Sequence, residues 1–332
     1  MSDTAAVLQV KDLEVSALTD RGRVTIAAGV NLEIERGRTL ALVGESGSGK
    51  TVTALAIMGL LPGPSLRREH GRIELHGEAL TSMSERELSM LRGDRLSMIF
   101  QEPMTSLDPA FTVGQLIGEV LRRHRGLSRS AARARGIELL ERVGIPAASH
   151  RINDYPHAFS GGMRQRVMIA MAIACEPEVL IADEPTTALD VTVQAQILEL
   201  LRSLQDEFGM AVLLVTHDLA VVAESSESVA VMYAGQIVEV ASSDDLFTRP
   251  LHPYTAGLVK SIPRSDVRQR RLDAIGGRIP APHEVAVGCH FAQRCDYATE
   301  KCAEPVEIVT AEPNRQVRCC NWESLDLSGS MK

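Results

Sequence analysis

Residues 44–51 read Gly44-Glu45-Ser46-Gly47-Ser48-Gly49-Lys50-Thr51. They fit the spacing G-x-x-x-x-G-K-[ST], whose backbone N–H groups wrap phosphate oxygens. The glycines let that backbone curl toward an anion with no Cβ in the way. Lys50 brings a point charge to the outer phosphates, and the Thr51 hydroxyl is a ligand for Mg²⁺. Three further clusters of polar residues follow short apolar runs: Gln101 after 96–100, Asp183 and Glu184 after 179–182, and His217 after 211–215. Asp183 suits Mg²⁺, and Glu184 can take a proton from an attacking water. Gln101 offers an amide oxygen to the metal or the water. His217 can hydrogen-bond a terminal phosphate or Glu184. Singly, each has an ordinary reading as a helix cap or a satisfied surface group; their joint order along the chain favours one nucleotide site.

Those groups need a scaffold. The run 39–43 before the glycine loop reads as a buried strand, and a helix-forming run opens at Val52 and continues to 58. The helix terminus behind the loop further favours an anion. Four short apolar strands suit a parallel sheet covered on both faces. The helical periodicity of 193–208 supplies a crossover. The fold class is α/β, and in open α/β sheets ligands bind beyond the carboxyl ends of the strands.

The chain has 332 residues, 45% apolar and 23% charged, with net charge −8. This is the composition of a globular protein long enough for two domains. The negative balance argues against wholesale binding to nucleic acid or an anionic membrane surface. The N-terminus carries no export-signal pattern. The longest strictly apolar run, 167–175, has nine residues, far short of a span. A cytosolic protein whose membrane link comes through a partner is expected, with cysteines that point to metal or redox sites before disulfides.

A further segment, Phe159-Ser160-Gly161-Gly162-Met163-Arg164-Gln165-Arg166, opens a helical run, 167–175, with a Ser-Gly-Gly turn. With the other motifs in order, the chain resembles the ATPase subunits of ABC transporters over about residues 5–260. The resemblance implies a P-loop NTPase (RecA-like) core with an antiparallel β subdomain and a helical subdomain at about 102–165. It makes Gly44 to Thr51, with Val52, the Walker A loop, and Gln101 the Q-loop residue. It makes 179–184 Walker B, Ala188-Leu189-Asp190 the D-loop, and His217 the switch histidine. It implies ATP with Mg²⁺ held by Thr51, Asp183 and Gln101, and catalysis by Glu184, His217, Lys50 and Gln101. In the family two cassettes pack head to tail, so Ser160, Gly161 and Gly162 serve the partner's nucleotide. The implied partners are two integral membrane permease subunits and a paralogous ATPase subunit, or a second copy of this chain. An extracytoplasmic solute-binding protein acts indirectly, and the location is the cytoplasmic face of the cell (inner) membrane.

Several stretches look like the ATP-binding subunits of dipeptide and oligopeptide importers: 100–109, Tyr155-Pro156-His157, 182–197 and His252-Pro253-Tyr254-Thr255. Relatives of that kind also import nickel and glutathione. Two features depart from the family pattern. No aromatic residue stands where adenine is expected to stack; Val15-Ser16-Ala17-Leu18 occupies the place, leaving Leu18 or Val24 for the ring. Met163 stands where Gln is usual, with Ser-Gly-Gly intact. The insert's arginines, Arg122, Arg123, Arg125, Arg129, Arg133 and Arg135, read as a solvated helical face rather than a nucleic-acid patch.

Five of the six cysteines lie near the C-terminus, at 289, 295, 302, 319 and 320, after a Gly/Pro-rich boundary at 275–282. Cys175, within the apolar run, reads as a small core residue. A short tail with few large apolar groups builds little core, and a metal crosslink would compensate. Thiolate ligation suits zinc or iron–sulfur; the lack of C-x2-C pairs tilts toward iron, and unligated thiols are the plain alternative. The tail resembles the Cys-rich C-terminal extension of peptide-importer ATPases, which implies a [4Fe–4S] cluster on Cys289, Cys295, Cys302 and Cys319, with Cys320 spare. The expected domains are thus 1–260 for nucleotide binding and 261–332 for the extension. The function expected is an ATPase that powers uptake of di- or oligopeptides or related solutes. Its alternatives are a soluble ABC-type ATPase acting on nucleic acid, and a regulatory iron–sulfur protein, against which the intact Glu184 and His217 argue.

Overall fold

The computed structural model describes residues 6–102, 106–187, 189–262, 275–285 and 287–327. Their strands are β1 (Ala6–Thr19), β2 (Gly22–Glu35), β3 (Thr39–Val43), β4 (Leu66–Leu75), β5 (Glu78–Ala79), β6 (Leu96–Ile99), β7 (Val179–Asp183), β8 (Ala211–Thr216), β9 (Ser228–Tyr233), β10 (Gln236–Ser242), β11 (Val309–Glu312) and β12 (Arg315–Val317). The chain forms two compact units. One takes residues up to Val7, Ile34–Arg38 and Ser82–Leu213; the other takes Leu8–Glu33, Thr39–Thr81 and the chain from Leu214 onward.

In the first unit β6 and β7 pair in parallel, Leu96 opposite Val179 and Ile99 opposite Ala182. Every residue of both strands is buried, which is why they read as unbroken apolar runs. The Ala211 N–H at the start of β8 donates to the Glu178 carbonyl at 2.9 Å. Three helices follow in the first unit: Val113–Arg125, Arg129–Arg142 and Ala148–Arg151. Thr112 and Gln115 form a reciprocal capping box on the first of these, so two otherwise orphaned N–H groups are satisfied. The insert's arginines are largely tied to the protein: Arg123 to Ser89, Arg125 to Asp94, and Arg135 to Glu138 and Glu176.

The run 167–175 is not helical throughout. Its helix, Gly161–Ala172, ends at Ala172, because Glu176 takes a left-handed φ of 52° and Pro177 follows, where no helix continues. Cys175 therefore sits past the helix, though buried in the core as expected.

In the second unit the sheet β2-β1-β4-β5 is antiparallel at β1–β4 and β4–β5, and its strands are only partly buried. The other sheet segment holds β3 parallel to β9 and β10 antiparallel to β9. β12 then pairs with β10, and β11 with β12. The turn between β11 and β12 uses Asn314 at φ 60°, a conformation asparagine tolerates. The C-terminal segment thus extends the sheet that carries β3, the strand entering the glycine loop 44–51. The core of this unit gathers Ala41, Val43, Val229, Val231, Tyr233, Tyr254 and Phe291. Among the described residues no helix is long and apolar enough to cross a membrane.

Candidate functional site

The loop after β3 is shaped by its glycines. Gly44 has φ 156°, and a Cβ there would lie 2.1 Å from the Met232 carbonyl oxygen. Gly49, at φ 109°, would put a Cβ 3.0 Å from the Ile26 carbonyl oxygen. Neither position admits a side chain without moving backbone. Gly49 precedes the helix Lys50–Met58, whose start has no side-chain cap; a helix end of this kind is suited to an anion. Lys50 is buried, and its Nζ donates to the carbonyls of Gly44 at 2.8 Å and Glu45 at 3.1 Å. The ammonium is therefore held across the mouth of the loop. Ser48 Oγ is buried with no hydrogen-bond partner. An orphaned donor inside a loop of backbone N–H groups fits an oxyanion. The Thr53 hydroxyl, one turn on, bonds the Gly49 carbonyl at 3.0 Å and pins the helix to the loop.

The first unit carries the acidic set. Asp183 ends β7 with 1% of its surface exposed. Glu184 follows at φ 46°, a strained value for a non-glycine residue and of the kind found at functional sites. Its Oε2 accepts from Gln101 Nε2 at 3.0 Å and from the Thr187 hydroxyl at 2.8 Å. Gln101 thus turns its amide nitrogen to Glu184, and its amide oxygen, the atom proposed for metal or water, takes no part in that bond. Thr187 was not foreseen as a site residue; its place three positions after Glu184 is the only sequence signal for it.

Ser160 caps the helix Gly161–Ala172, accepting from the Met163 N–H at 3.4 Å. Ser160 and Gly161 are exposed. A Cβ on Gly162 would lie 2.7 Å from Val193 Cγ1, so this glycine lets its turn pack on the start of the helix Val191–Phe208. Asp190 caps that helix through the Val193 N–H at 3.0 Å. Ala188 lies outside the described residues. In the second unit His217 stands exposed between β8 and the Asp218 cap of the helix Leu219–Ser225. Leu18 is exposed and Val24 half-buried.

These parts match known proteins. Residues 27–187 match the family described as ABC transporter, and 238–302 that described as oligopeptide/dipeptide transporter, C-terminal region. The oligopeptide transport ATP-binding protein AppD of Bacillus subtilis (strain 168) is 48% identical over 96% of this chain and 98% of its own length. The chain belongs to the ABC transporter family. The dipeptide transport ATP-binding protein DppD of the same organism is 50% identical over 87% of this chain and 86% of its own length. A solved structure of the ATP-binding cassette MJ0796, a dimer bound to ADP and Pi, covers 71% of this chain and 98% of its own, with TM-score 0.64 and 28% identity. The fold is accordingly a P-loop ATPase fold of mixed sheets and helices, and ATP is the substrate of this ABC ATPase.

The C-terminal region of this ABC protein gathers its thiols. Cys289, Cys295, Cys302, Cys319 and Cys320 line one cavity of about 10 Å³ with His252, Phe291 and Leu325. Cys302 Sγ lies 3.6 Å from Cys320 Sγ, and all the cysteines are free of disulfides. Burial pushes Cys295 up to about 11 and Cys319 up to about 12. Burial would raise Cys302 as well, but the Thr299 N–H and the Cys320 thiol lower it. The donor chemistry is that of a thiolate centre, whose metal would displace those protons. Among the described residues no group of three or more His, Cys, Asp or Glu is set to hold a metal ion. Cys319 and Cys320 both face the cavity, so the choice between them as fourth ligand stays open.

Proposed function

We propose that the chain is the ATP-hydrolysing subunit of an importer of di- and oligopeptides or related small solutes. The observation that carries this reading is the near full-length likeness to proteins named for oligopeptide and dipeptide transport, C-terminal region included. The nucleic-acid alternative has no such support. In this reading residues 44–52 bind the phosphates, with Lys50 on the outer ones. Thr51, Asp183 and Gln101 offer Mg²⁺ the oxygen ligands it prefers, few in number because phosphates and water supply the rest. Bound there, the metal would neutralise charge developing on the transferred phosphoryl group. Water attacks the γ-phosphorus, its proton passes to Glu184, and ADP leaves. Gln101 and Thr187 orient Glu184, and His217 supports the γ-phosphate. Ser160, Gly161, Gly162 and Asp190 act on the nucleotide of a second cassette, a paralogue or another copy.

The same reading makes 1–260 the nucleotide-binding domain with its helical subdomain at 102–165, and 261–332 the Cys-rich extension. It places the subunit at the cytoplasmic face of the membrane, beside two permease subunits. The gathered thiols support a [4Fe–4S] cluster on Cys289, Cys295, Cys302 and Cys319, which would crosslink the tail. Coexpression with two peptide-importer permease subunits and reconstitution into vesicles tests the function. Expected are a stable complex and peptide uptake that requires ATP. An ATPase that ignores the permeases and is stimulated by DNA or RNA would overturn it.

A further inference from the structure

Two segments remain without a role in the mechanism: His252-Pro253-Tyr254-Thr255 and the tail around Arg294. Both meet the Walker A loop at Glu45. The Glu45 N–H donates to the Tyr254 hydroxyl at 2.9 Å. The Glu45 carboxylate accepts two bonds from one guanidinium, Arg294 Nη1 to Oε2 at 2.7 Å and Nη2 to Oε1 at 3.0 Å. This is the fork geometry that makes arginine–carboxylate pairs strong and directional. The Arg294 side chain is 7% exposed. It lies over the rings of Tyr233 and Phe291, 5.7 and 5.9 Å from their centroids. Its remaining N–H capacity goes to the carbonyls of Gly276 at 2.7 Å and Ile275 at 3.3 Å and to the Tyr233 hydroxyl at 3.4 Å. The guanidinium therefore joins the phosphate loop, the segment entering the tail and the aromatic core in one buried node.

The charge at this node matters for an anionic ligand. Glu45 is the second residue of a loop built to hold a triphosphate, and an uncompensated carboxylate there repels it. We propose that Arg294 is a positioning residue of the nucleotide site: it neutralises Glu45 and ties the Walker A loop to the C-terminal tail, so that ATP affinity depends on the docked tail. The inference rests on the reading of residues 44–51 as the ATP site. The tail of this chain then acts on the nucleotide from within its own unit, with no surface contributed to substrate.

Equilibrium titration of the full chain with a fluorescent ATP analogue and Mg²⁺ tests this. Arg294→Ala should weaken binding about tenfold, or about 1.4 kcal/mol, and the loss should shrink in high salt, which screens the unmasked carboxylate. Arg294→Lys, a point charge without the fork, should fall between. In a Glu45→Gln background Arg294→Ala should cost less than about twofold, since the charge it compensates is gone. A purely structural role for Arg294 would not vanish with that one oxygen. Binding by Arg294→Ala within about twofold of wild type, or an equal loss in both backgrounds, overturns the proposal. If Arg294→Ala does not fold, Arg294→Lys is measured in the same two backgrounds with the same criterion. Lys50→Ala run in parallel separates the two readings. If it binds ATP normally, the Walker A reading fails; if it loses ATP while Arg294→Ala does not, only the present inference fails.

Discussion

Replacing Arg315 by methionine removes a buried charge contact between the C-terminal strands and the sheet. Arg315 on β12 and Glu239 on β10 meet at 3.4 Å with side chains 1% and 0% exposed. Glu239 also accepts the N–H groups of Leu251 and His252, each at 2.9 Å. Stranding one member of a buried ion pair costs about 3–5 kcal/mol. Two N–H donors remain on Glu239, and burial already holds its carboxyl above the ordinary carboxylate range against those donors and Arg315. The low end, about 3 kcal/mol, is therefore expected, a fall of roughly 6–12 °C in melting midpoint for a unit of this size. The pH dependence has a definite sign. With Glu239 raised in the folded state above its unfolded value of about 4.3, the folded chain binds a proton that the unfolded chain does not. Stability gained by that proton grows as pH falls through the folded value and is lost as pH rises through it. The deficit of Arg315→Met should thus shrink as pH falls toward the ordinary carboxylate range. Arg315 Nε and Nη1 make no hydrogen bond, and Nη1 reaches Glu312 at 3.6 Å and Asp245 at 3.9 Å only as longer ion pairs, so the buried guanidinium is imperfectly satisfied. Adding Glu239→Gln should restore most of the loss, because an amide oxygen still accepts N–H and carries no charge. Thermal unfolding followed by circular dichroism measures both variants. A loss below about 1 kcal/mol, or a double variant no more stable than the single, would refute the buried-pair argument.

Glu184→Gln should keep ATP bound and lower turnover by about 10²–10⁴-fold, the usual worth of a general base; steady-state phosphate release checks it, and near-normal turnover would remove Glu184 from that role. Gly162→Ala drives a methyl to 2.7 Å from Val193 Cγ1 and should cost about 1–3 kcal/mol of overpacking. Its ATPase rate in the reconstituted transporter should fall with it, and a wild-type melt and rate would show that the helix start yields freely. Cys295→Ser should abolish the broad visible absorption expected of anaerobically purified wild-type protein carrying iron and sulfide; a colourless wild type with zinc, or with no metal, would reject the cluster.

What could be read from the sequence was what local chemistry fixes. The runs 39–43, 179–182 and 211–215 are buried strands because unbroken apolar stretches fit a sheet covered on both faces. Gly44 and Gly49 were readable because their backbone geometry excludes any side chain. The helix assigned to 167–175 was cut short by the Glu176-Pro177 step, a local stop signal outweighed by the apolar pattern. The unread parts depend on distant partners. Arg294 lies 249 positions from Glu45, and nothing around it distinguishes it from other arginines. The β11–β12 hairpin is short and exposed on β11, and it exists because β10 offers an edge. Thr187 belongs to the site only because Glu184 turns back onto it.

These long-range contacts change how the C-terminal segment should be understood. The Gly/Pro-rich stretch near 275 marks a boundary in composition, yet the compact unit holding the glycine loop 44–51 also takes in the chain from Leu214 onward. Phe291 packs edge-on against Tyr233 with centroids 5.2 Å apart and tilted on Tyr254 at 5.3 Å. Tyr254 in turn holds the Glu45 N–H. Arg315 balances the charge on Glu239, the carboxylate that anchors the start of the helix Pro253–Lys260 through the His252 N–H. A segment that merely decorated a finished cassette would contact it through exposed side chains worth little individually. Here it supplies a buried aromatic, a buried fork on the phosphate loop and two sheet strands. The compact unit that holds the glycine loop is therefore completed by residues far beyond it in the sequence.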